Sequence, residues 1–586
     1  MGTISLRSDT AQGQGLAMLV GPVLIIICIG LLIYVSQLDV LQIDALYFHI
    51  AYLVILAISA WLLLRIFDGA SRFGMFCLLL IVILTLRLIT IVRIPYPILF
   101  NPDSNFELQL IRGIQAGGRI LQGPLPGPIT GPANYYQFFP GLEILVSALS
   151  FATGIDPVFF VKYFGGFVGL LTVPLLACAW RRIFGEWGSA LVAACIVGLS
   201  SRFIAFDPYT VHPTLANVFI AVTFFLICMR AREILSRLLI FVSFAALVIT
   251  HSWSPIVFVL ILAGTLILQR IGNSHADTRS IMKVSGSFLV YSFAAIASWI
   301  VFVSYVMVTI FDIQYSSIIS AILSPELTLS FVSPRGTKPA WIVALTYLGF
   351  GSFGVSLLAG IAASIRKPAY RAIFSVGAMG IVASASLMSI WVFGFTQEAD
   401  LFNRNLIWVY MFAAPLAVLG VRRLSFRSWG GWMRRGRVLA FVLLLTMLLP
   451  CVYHGVDPMF YDRSAPVGDV DVSLGLDQWQ ALGKFAAQHV VEEKVYGIRL
   501  AHIYVWGLGG KIVESVDGET FQGSDIVTWA SNARGSILIT RTSWPQIADR
   551  GYSPSIAEFQ TMMSTSNVVF HSDDAVVLVL WSSDLP

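Results

Sequence analysis

Charge is what this chain has little of. Of its 586 residues, 12% are Asp, Glu, Lys or Arg and 57% are hydrophobic. A soluble chain carries about twice that charged share, so a water-soluble globular protein is excluded. The net charge of +5 is spread through short loops, not gathered in a patch, which excludes a nucleic-acid partner. Cysteine is also scarce. All six (Cys28, Cys77, Cys178, Cys195, Cys228 and Cys451) fall in or at the ends of apolar runs. Neither a disulfide framework nor a thiolate metal site is indicated. Internal repeats and low-complexity tracts are missing, as are the short alternating segments of a transmembrane barrel.

Long apolar runs are what the chain does have. Candidate spans lie near 17–36, 46–66, 74–95, 157–180, 187–206, 211–230, 238–253, 254–269, 284–311, 340–364, 372–395, 405–421 and 438–454. Most approach or exceed the ~18–20 residues that cross ~30 Å of hydrocarbon. The expected fold class is an α-helical polytopic membrane protein with about thirteen spans. The first run has no small-residue cleavage site after it and reads as a retained anchor. The apolar stretch 138–153 reads as an interfacial or half-crossing helix.

Topology follows from the basic residues. Arg65 and Arg72, Arg181 and Arg182, Arg230 to Arg237, Arg270 to Lys283, and Arg366 to Arg371 fall on one side. So do Arg422, Arg423, Arg427, Arg434, Arg435 and Arg437. That side is the cytoplasm by the positive-inside rule, which places the N-terminus inside and the C-terminus outside, in a plasma membrane. The chain divides into a transmembrane module, 1–454, and an outer domain, 455–586. Residues 96–156 form the first large outer loop. The outer domain is polar. Asp477 to Val491 has a helical apolar period, with Trp479, Leu482, Phe485, Ala486 and Val490. Lys494–Ile498, Lys511–Glu514, Ile537–Thr540, Val568–Phe570 and Ala575–Trp581 read as strands, with a hairpin turn at Ser572-Asp573-Asp574. A small α/β domain is expected.

The polar residues that stand out belong to the outer side. Asp103 opens the first loop in Asn101-Pro102-Asp103-Ser104-Asn105-Phe106-Glu107, and Glu107 follows at helical spacing. Asp207 and His212 lie in Asp207-Pro208-Tyr209-Thr210-Val211-His212-Pro213. His251, Arg335 with Lys338, and Glu398 with Arg404 occupy three further outer loops. A carboxylate at the lip of a bundle is expensive to desolvate and is a functional candidate. Loop carboxylates are also commonly just solvated, and His212 and His251 suit helix capping. Without Cys or paired His neighbours a capping or packing role is favoured for them over a metal role. Arg404 stands on the side that is poor in arginine, which favours a role. Arg87 lies within the third span, where it either pairs inside the bundle or snorkels.

In order and sidedness these features resemble the GT-C superfamily of membrane glycosyltransferases, including protein O-mannosyltransferases and lipid A aminoarabinose transferases. The matching features are Asp103 opening the loop, Ile111-Arg112-Gly113-Ile114-Gln115-Ala116-Gly117, and the entry Tyr136-Gln137-Phe138-Phe139-Pro140-Gly141-Leu142. Thr153-Gly154-Ile155, Arg181-Arg182-Ile183-Phe184-Gly185, His212-Pro213-Thr214, Thr250-His251 and the Arg404 loop follow. Two spans precede the usual first one. The resemblance implies a polyprenyl-phosphate sugar donor, an acceptor that is protein, lipid or cell-envelope glycan, and inversion at the anomeric carbon. It implies Asp103 as base with Glu107 in support. Arg404 would hold the donor phosphate, helped by Arg335, Lys338 and His251. Asp207, His212 and Glu398 remain further outer-face candidates. The single Asp103 departs from a paired Asp-x-Asp, so no cofactor is required and a divalent metal is possible but not indicated. The Trp-Trp-Asp motif of oligosaccharyltransferases is missing, and His502-Ile503-Tyr504-Val505-Trp506-Gly507 does not replace it, which disfavours block transfer.

Other classes remain open. A lipid-linked-sugar flippase or transporter would carry ionisable residues near the midplane and inverted repeats, whereas these spans are nearly charge-free apart from Arg87. A surface polysaccharide polymerase or ligase is close in chemistry. A purely structural scaffold needs no one-sided set of acids and bases.

Overall fold

A segment in hydrocarbon must pair every backbone N–H and C=O within itself, so the apolar runs fold as helices. The computed structural model describes residues 21–34, 45–69, 72–92, 102–118, 120, 138–205, 211–229, 234–272, 286–304, 340–367, 370–394, 399–426 and 433–455, together with strands at 494–497, 512–515, 535–540, 567–572 and 575–580. The chain forms two compact units. One is Met1–Arg93, Tyr163–Pro334 and Lys338–Asp457; the other is Ile94–Lys162, Arg335–Thr337 and Pro458–Pro586.

The described helices run in chain order as α1 (Gly21–Tyr34), α2 (Ala45–Asp68), α3 (Arg72–Val92), α4 (Pro102–Gly117), α5 (Gly141–Thr153) and α6 (Pro157–Leu170). Then come α7 (Thr172–Phe184), α8 (Trp187–Gly198), α9 (Ser201–Ala205), α10 (His212–Cys228), α11 (Ile234–Thr250), α12 (Ser254–Gly272) and α13 (Gly286–Phe302). The last are α14 (Ala340–Arg366), α15 (Arg371–Gly394), α16 (Ala399–Phe426), α17 (Met433–Leu448) and α18 (Pro450–Gly455).

Six stretches are long and apolar enough to cross a membrane: Phe48–Asp68, Arg72–Ile89, Pro157–Phe184, Ser254–Ile271, Val343–Ile365 and Leu406–Ser425. Shorter apolar helices occupy the other expected spans, and one more, Gly141–Thr153, occupies the stretch expected to be interfacial. The chain is an integral membrane protein.

Three of the expected spans are interrupted, 157–180, 187–206 and 438–454, the last at Leu449 before Pro450. Within 157–180 the helix stops at Leu171 and restarts as α7. Pro174 explains this, because it has no N–H and its ring crowds the carbonyl four residues back. Within 187–206 the helix stops at Gly198 and restarts as α9. There the Ser200 hydroxyl accepts the Phe203 N–H at 3.4 Å, and the Cys451 thiol donates to the Leu199 carbonyl. Side chains thus take up backbone groups that the break leaves over.

The centre of the first unit is aromatic. Trp180 of α7 lies 5.2 Å from Phe224 of α10, which meets Phe412 of α16 at 5.5 Å. Phe258 of α12 stacks on Phe412 at 6.1 Å. Helix α16 packs on both α14 and α15. Glycine permits the α14–α16 approach: a Cβ at Gly360 would strike the Leu416 carbonyl, and one at Gly420 the Ser356 carbonyl. Such closeness suits helices in lipid, whose association rests on packing.

In the second unit, five strands form one sheet in the order β2-β1-β3-β5-β4: β1 (Lys494–Gly497), β2 (Ile512–Ser515), β3 (Gly535–Thr540), β4 (Asn567–Ser572) and β5 (Ala575–Leu580). β1 pairs parallel with β2 and β3, while β5 pairs antiparallel with β3 and β4. The β4–β5 register shifts between Val568 and Phe570. The five strands coincide with those expected, including the hairpin. The expected helix 477–491 lies outside the described residues.

Candidate active site

The first outer loop builds two helices. α4 begins with Pro102, whose missing N–H has no intrahelical partner to lose at that position. Its buried residues Ser104, Glu107, Leu108 and Ile111 recur at helical spacing and form one stripe. α5 has a matching stripe of Leu142, Glu143, Val146, Ser147 and Ser150. The two helices pack together, and the Ser147 hydroxyl points its hydrogen at the Ile111 carbonyl, 3.5 Å away.

Each stripe carries one carboxylate. Glu107 is 1% exposed and Glu143 is fully buried, and each brings an oxygen within 4.8 Å of the other. Two negative charges that close, out of water, repel strongly unless a proton or a cation lies between them. Glu143 stands in the first turn of α5, where the helix N-terminus favours negative charge. Two carboxylates at this spacing can share a proton or hold a divalent cation, and among the described residues of this unit they are the ones suited to a metal.

Asp103 lies in α4 one turn before Glu107. Arg404 lies near the start of α16. His212 is the first residue of α10, followed by Pro213, and it is buried. His251 is half-buried between α11 and α12, and its Nδ1 accepts the Ser254 N–H at 3.1 Å. That N–H opens α12 and has no partner within the helix. Asp207, Arg335, Lys338 and Glu398 lie outside the described residues. Glu107 is thereby brought into a pair that sequence reasoning missed. The missed partner, Glu143, is the lone carboxylate of a thirteen-residue apolar helix, a signal that was available. Lys162 on α6 is a buried charge that the sequence reading did not single out, and Arg87 on α3, the expected exception among the spans, is buried too. Arg87 pairs inside the bundle, donating to the carbonyls of Gly165, Gly166 and Phe203.

No family model matches the chain, and no curated protein sequence does. Its structure is similar to that of the oligosaccharyltransferase AglB from Archaeoglobus fulgidus in complex with an inhibitory peptide and a dolichol-phosphate. The TM-score is 0.51 at 11% identity, over 87% of this chain and 75% of that one. The apo form of the A. fulgidus oligosaccharyltransferase gives a TM-score of 0.49 at 11% identity over the same shares. ArnT from Cupriavidus metallidurans bound to undecaprenyl phosphate gives 0.44 at 14% identity, over 87% of this chain and 98% of that one. At 11% identity the likeness to the archaeal enzyme is one of fold alone.

Proposed function

We propose that this chain is an inverting glycosyltransferase, moving a sugar from a polyprenyl-phosphate donor to an acceptor hydroxyl or amine at the outer face of the membrane. The observation that carries this reading is the buried Glu107–Glu143 pair on the two helices after the third span. A carboxylate pair out of water is expensive as core packing and useful for holding an acceptor hydroxyl or amine beside a base. The fold supports the donor class: AglB, which shares it, is an oligosaccharyltransferase captured with a dolichol-phosphate. Block transfer is disfavoured by the missing Trp-Trp-Asp motif. The acceptor is a protein, a lipid or an envelope glycan.

In this reading the acceptor oxygen or nitrogen attacks the anomeric carbon from the face opposite the phosphate. As that bond forms, the acceptor proton passes to Asp103. Glu107, held by its pairing with Glu143, orients the acceptor. The bond from the anomeric carbon to the phosphate oxygen breaks, and prenyl phosphate leaves with the electron pair. Arg404 meets the charge that develops, because a guanidinium fork matches two phosphate oxygens. Arg335 and Lys338 add positive charge. His251, with Nδ1 accepting the Ser254 N–H, carries its proton on Nε2 and so presents a donor there. The N-terminus is cytoplasmic and the sheet domain extracytoplasmic.

The spacing of Glu107 and Glu143 favours a second reading of one step: the pair binds a divalent cation instead of sharing a proton. Dialysis against a chelator, followed by metal analysis and assay, separates the two. Full turnover in metal-free protein removes the second reading.

The function is tested with purified protein and a panel of short polyprenyl-phosphate sugars. Wild type is expected to release prenyl phosphate, and Asp103→Asn to release almost none. Equal release from both would remove Asp103 as base. No release from any donor, combined with movement of the lipid between leaflets, would replace the reading with a flippase.

A further inference from the structure

Arg87 is a charged side chain with no exposure at all, fifteen residues into the span that starts at Arg72. At 1.5 Å per residue that is about 22 Å along the helix, well into its second half. An isolated cation at such a depth is very unfavourable, so the surroundings must supply acceptors. Three of them are backbone carbonyls. Nε donates to the Gly166 carbonyl at 3.1 Å, Nη2 to Gly165 at 3.0 Å, and Nη1 to Phe203 at 2.7 Å. The Phe203 ring also lies against the guanidinium, with Cζ 4.8 Å from its centroid. The pocket is shaped for this group, since a Cβ at Gly169 would collide with Nη2.

These three acceptors belong to two of the interrupted spans. Gly165 and Gly166 are in α6, just before the Leu171 break, and Phe203 is in α9, just after the break at Leu199. Helix α9 has five residues and cannot hold itself in place. It leads into residues 206–211, which contain Asp207 and end where His212 begins α10. One planar group with three donors in a fork ties this short helix to α6. Lysine offers a point charge and glutamine only two donors, so neither reproduces the tie.

We propose that Arg87 is a positioning residue: by clamping α6 and α9 it sets the entry of the 206–211 connection and the seat of His212. Its bearing on turnover rests on the glycosyltransferase reading above, whereas the clamp itself does not.

The experiment uses the full chain in nanodiscs with a His212→Cys reporter. Accessibility to a small maleimide is read peptide by peptide by mass spectrometry. Cys195, fully buried in α8, is the internal control for global loosening. Two variants loosen the clamp differently. Arg87→Lys keeps the charge without the fork. Gly169→Ala keeps Arg87 and forces its guanidinium aside. Both are expected to raise reporter labelling about tenfold or more while Cys195 stays protected. On the His212 background, both are expected to lower kcat about 10²-fold with donor KM within about twofold, since the connection carries the outer-face candidates Asp207 and His212 and a displacement of ~1 Å at a reacting site has that effect on rate. Unchanged labelling in both variants overturns the proposal. Labelling of Cys195 rising in step with the reporter also overturns it, because Arg87 would then serve only general stability. Loss of folded protein in both variants has the same meaning. If wild type transfers no sugar from any donor, the kinetic arm falls with the function, and the labelling arm still decides the clamp.

Discussion

Glu107 of α4 and Glu143 of α5 hold carboxylate oxygens within 4.8 Å of one another, and both side chains are buried. Neither helix alone creates this. Each contributes a single acid to an otherwise small or apolar stripe, and packing of the stripes brings the two together. Well-packed hydrophobic residues of similar volume would serve stability at least as well as a buried charged pair. The pair therefore points to chemistry over architecture.

If the two carboxylates act as one unit, their substitutions do not add. Glu107→Gln and Glu143→Gln are each expected to lower kcat about 10²-fold, the cost of misplacing an acceptor that the pair orients by about 1 Å. The double substitution is expected to fall little further, because members of one catalytic unit are strongly non-additive. Single-turnover assays of the four proteins close the cycle. Fully multiplicative losses would show two independent groups.

Most of the fold was legible because hydrocarbon leaves the backbone few options. Every run expected to span holds a described helix, and the five described strands overlap the runs that alternation and turn residues single out. The breaks at Leu171 and Leu199 were not anticipated. Pro174 was visible, but an apolar window runs straight through it, and the second break depends on Ser200 and on Cys451, far apart in sequence. Arg87 posed an open alternative for the same reason: the carbonyls of Gly165, Gly166 and Phe203, to which it donates, are 78 to 116 residues away. Glu107 was legible as a candidate. Its pairing with Glu143 was not, because spacing along a chain says nothing about which helices meet.

His251 is expected to show two separable effects. Its Nδ1 caps the first N–H of α12, and losing a cap destabilises by about 1 kcal/mol. Its Nε2–H is assigned to the donor phosphate. His251→Asn retains a cap acceptor and should keep wild-type stability while donor KM rises about tenfold, as expected for a lost hydrogen bond to a charged group. His251→Ala should lose both. Denaturation curves beside donor saturation curves read the two effects. Unchanged KM in both variants would leave His251 as a cap alone.

Gly360→Ala and Gly420→Ala are expected to be severely destabilising. Each new Cβ would meet a backbone carbonyl of the facing helix, Leu416 or Ser356, and a carbonyl cannot rotate aside as a side chain can. Overpacking commonly destabilises by about 1–3 kcal/mol, and contact with backbone puts these sites at the upper end. Gly354→Ala, on the same helix with nothing near its Cβ position, is the control and should gain slightly from helix propensity. Thermal unfolding in one detergent compares them. Equal stability of Gly360→Ala and Gly354→Ala would mean that the α14–α16 contact gives way easily.

Arg404 carries the leaving-group half of the proposed reaction. Phosphate gains negative charge as the glycosidic bond breaks, so a guanidinium beside it binds the transition state more strongly than the ground state. Arg404→Ala is therefore expected to lower kcat/KM about 10²-fold, with part of the loss in kcat, not all in KM. Arg404→Lys keeps the charge without the bidentate fork and should recover only part of the loss. A donor series separates this role from simple attraction to anionic lipid. With polyprenyl-diphosphate sugars, whose leaving group spreads its charge over more oxygens, the penalty of Arg404→Ala should shrink. A penalty confined to KM and identical for both donors would make Arg404 a membrane-surface anchor and move the developing charge onto Arg335 and Lys338.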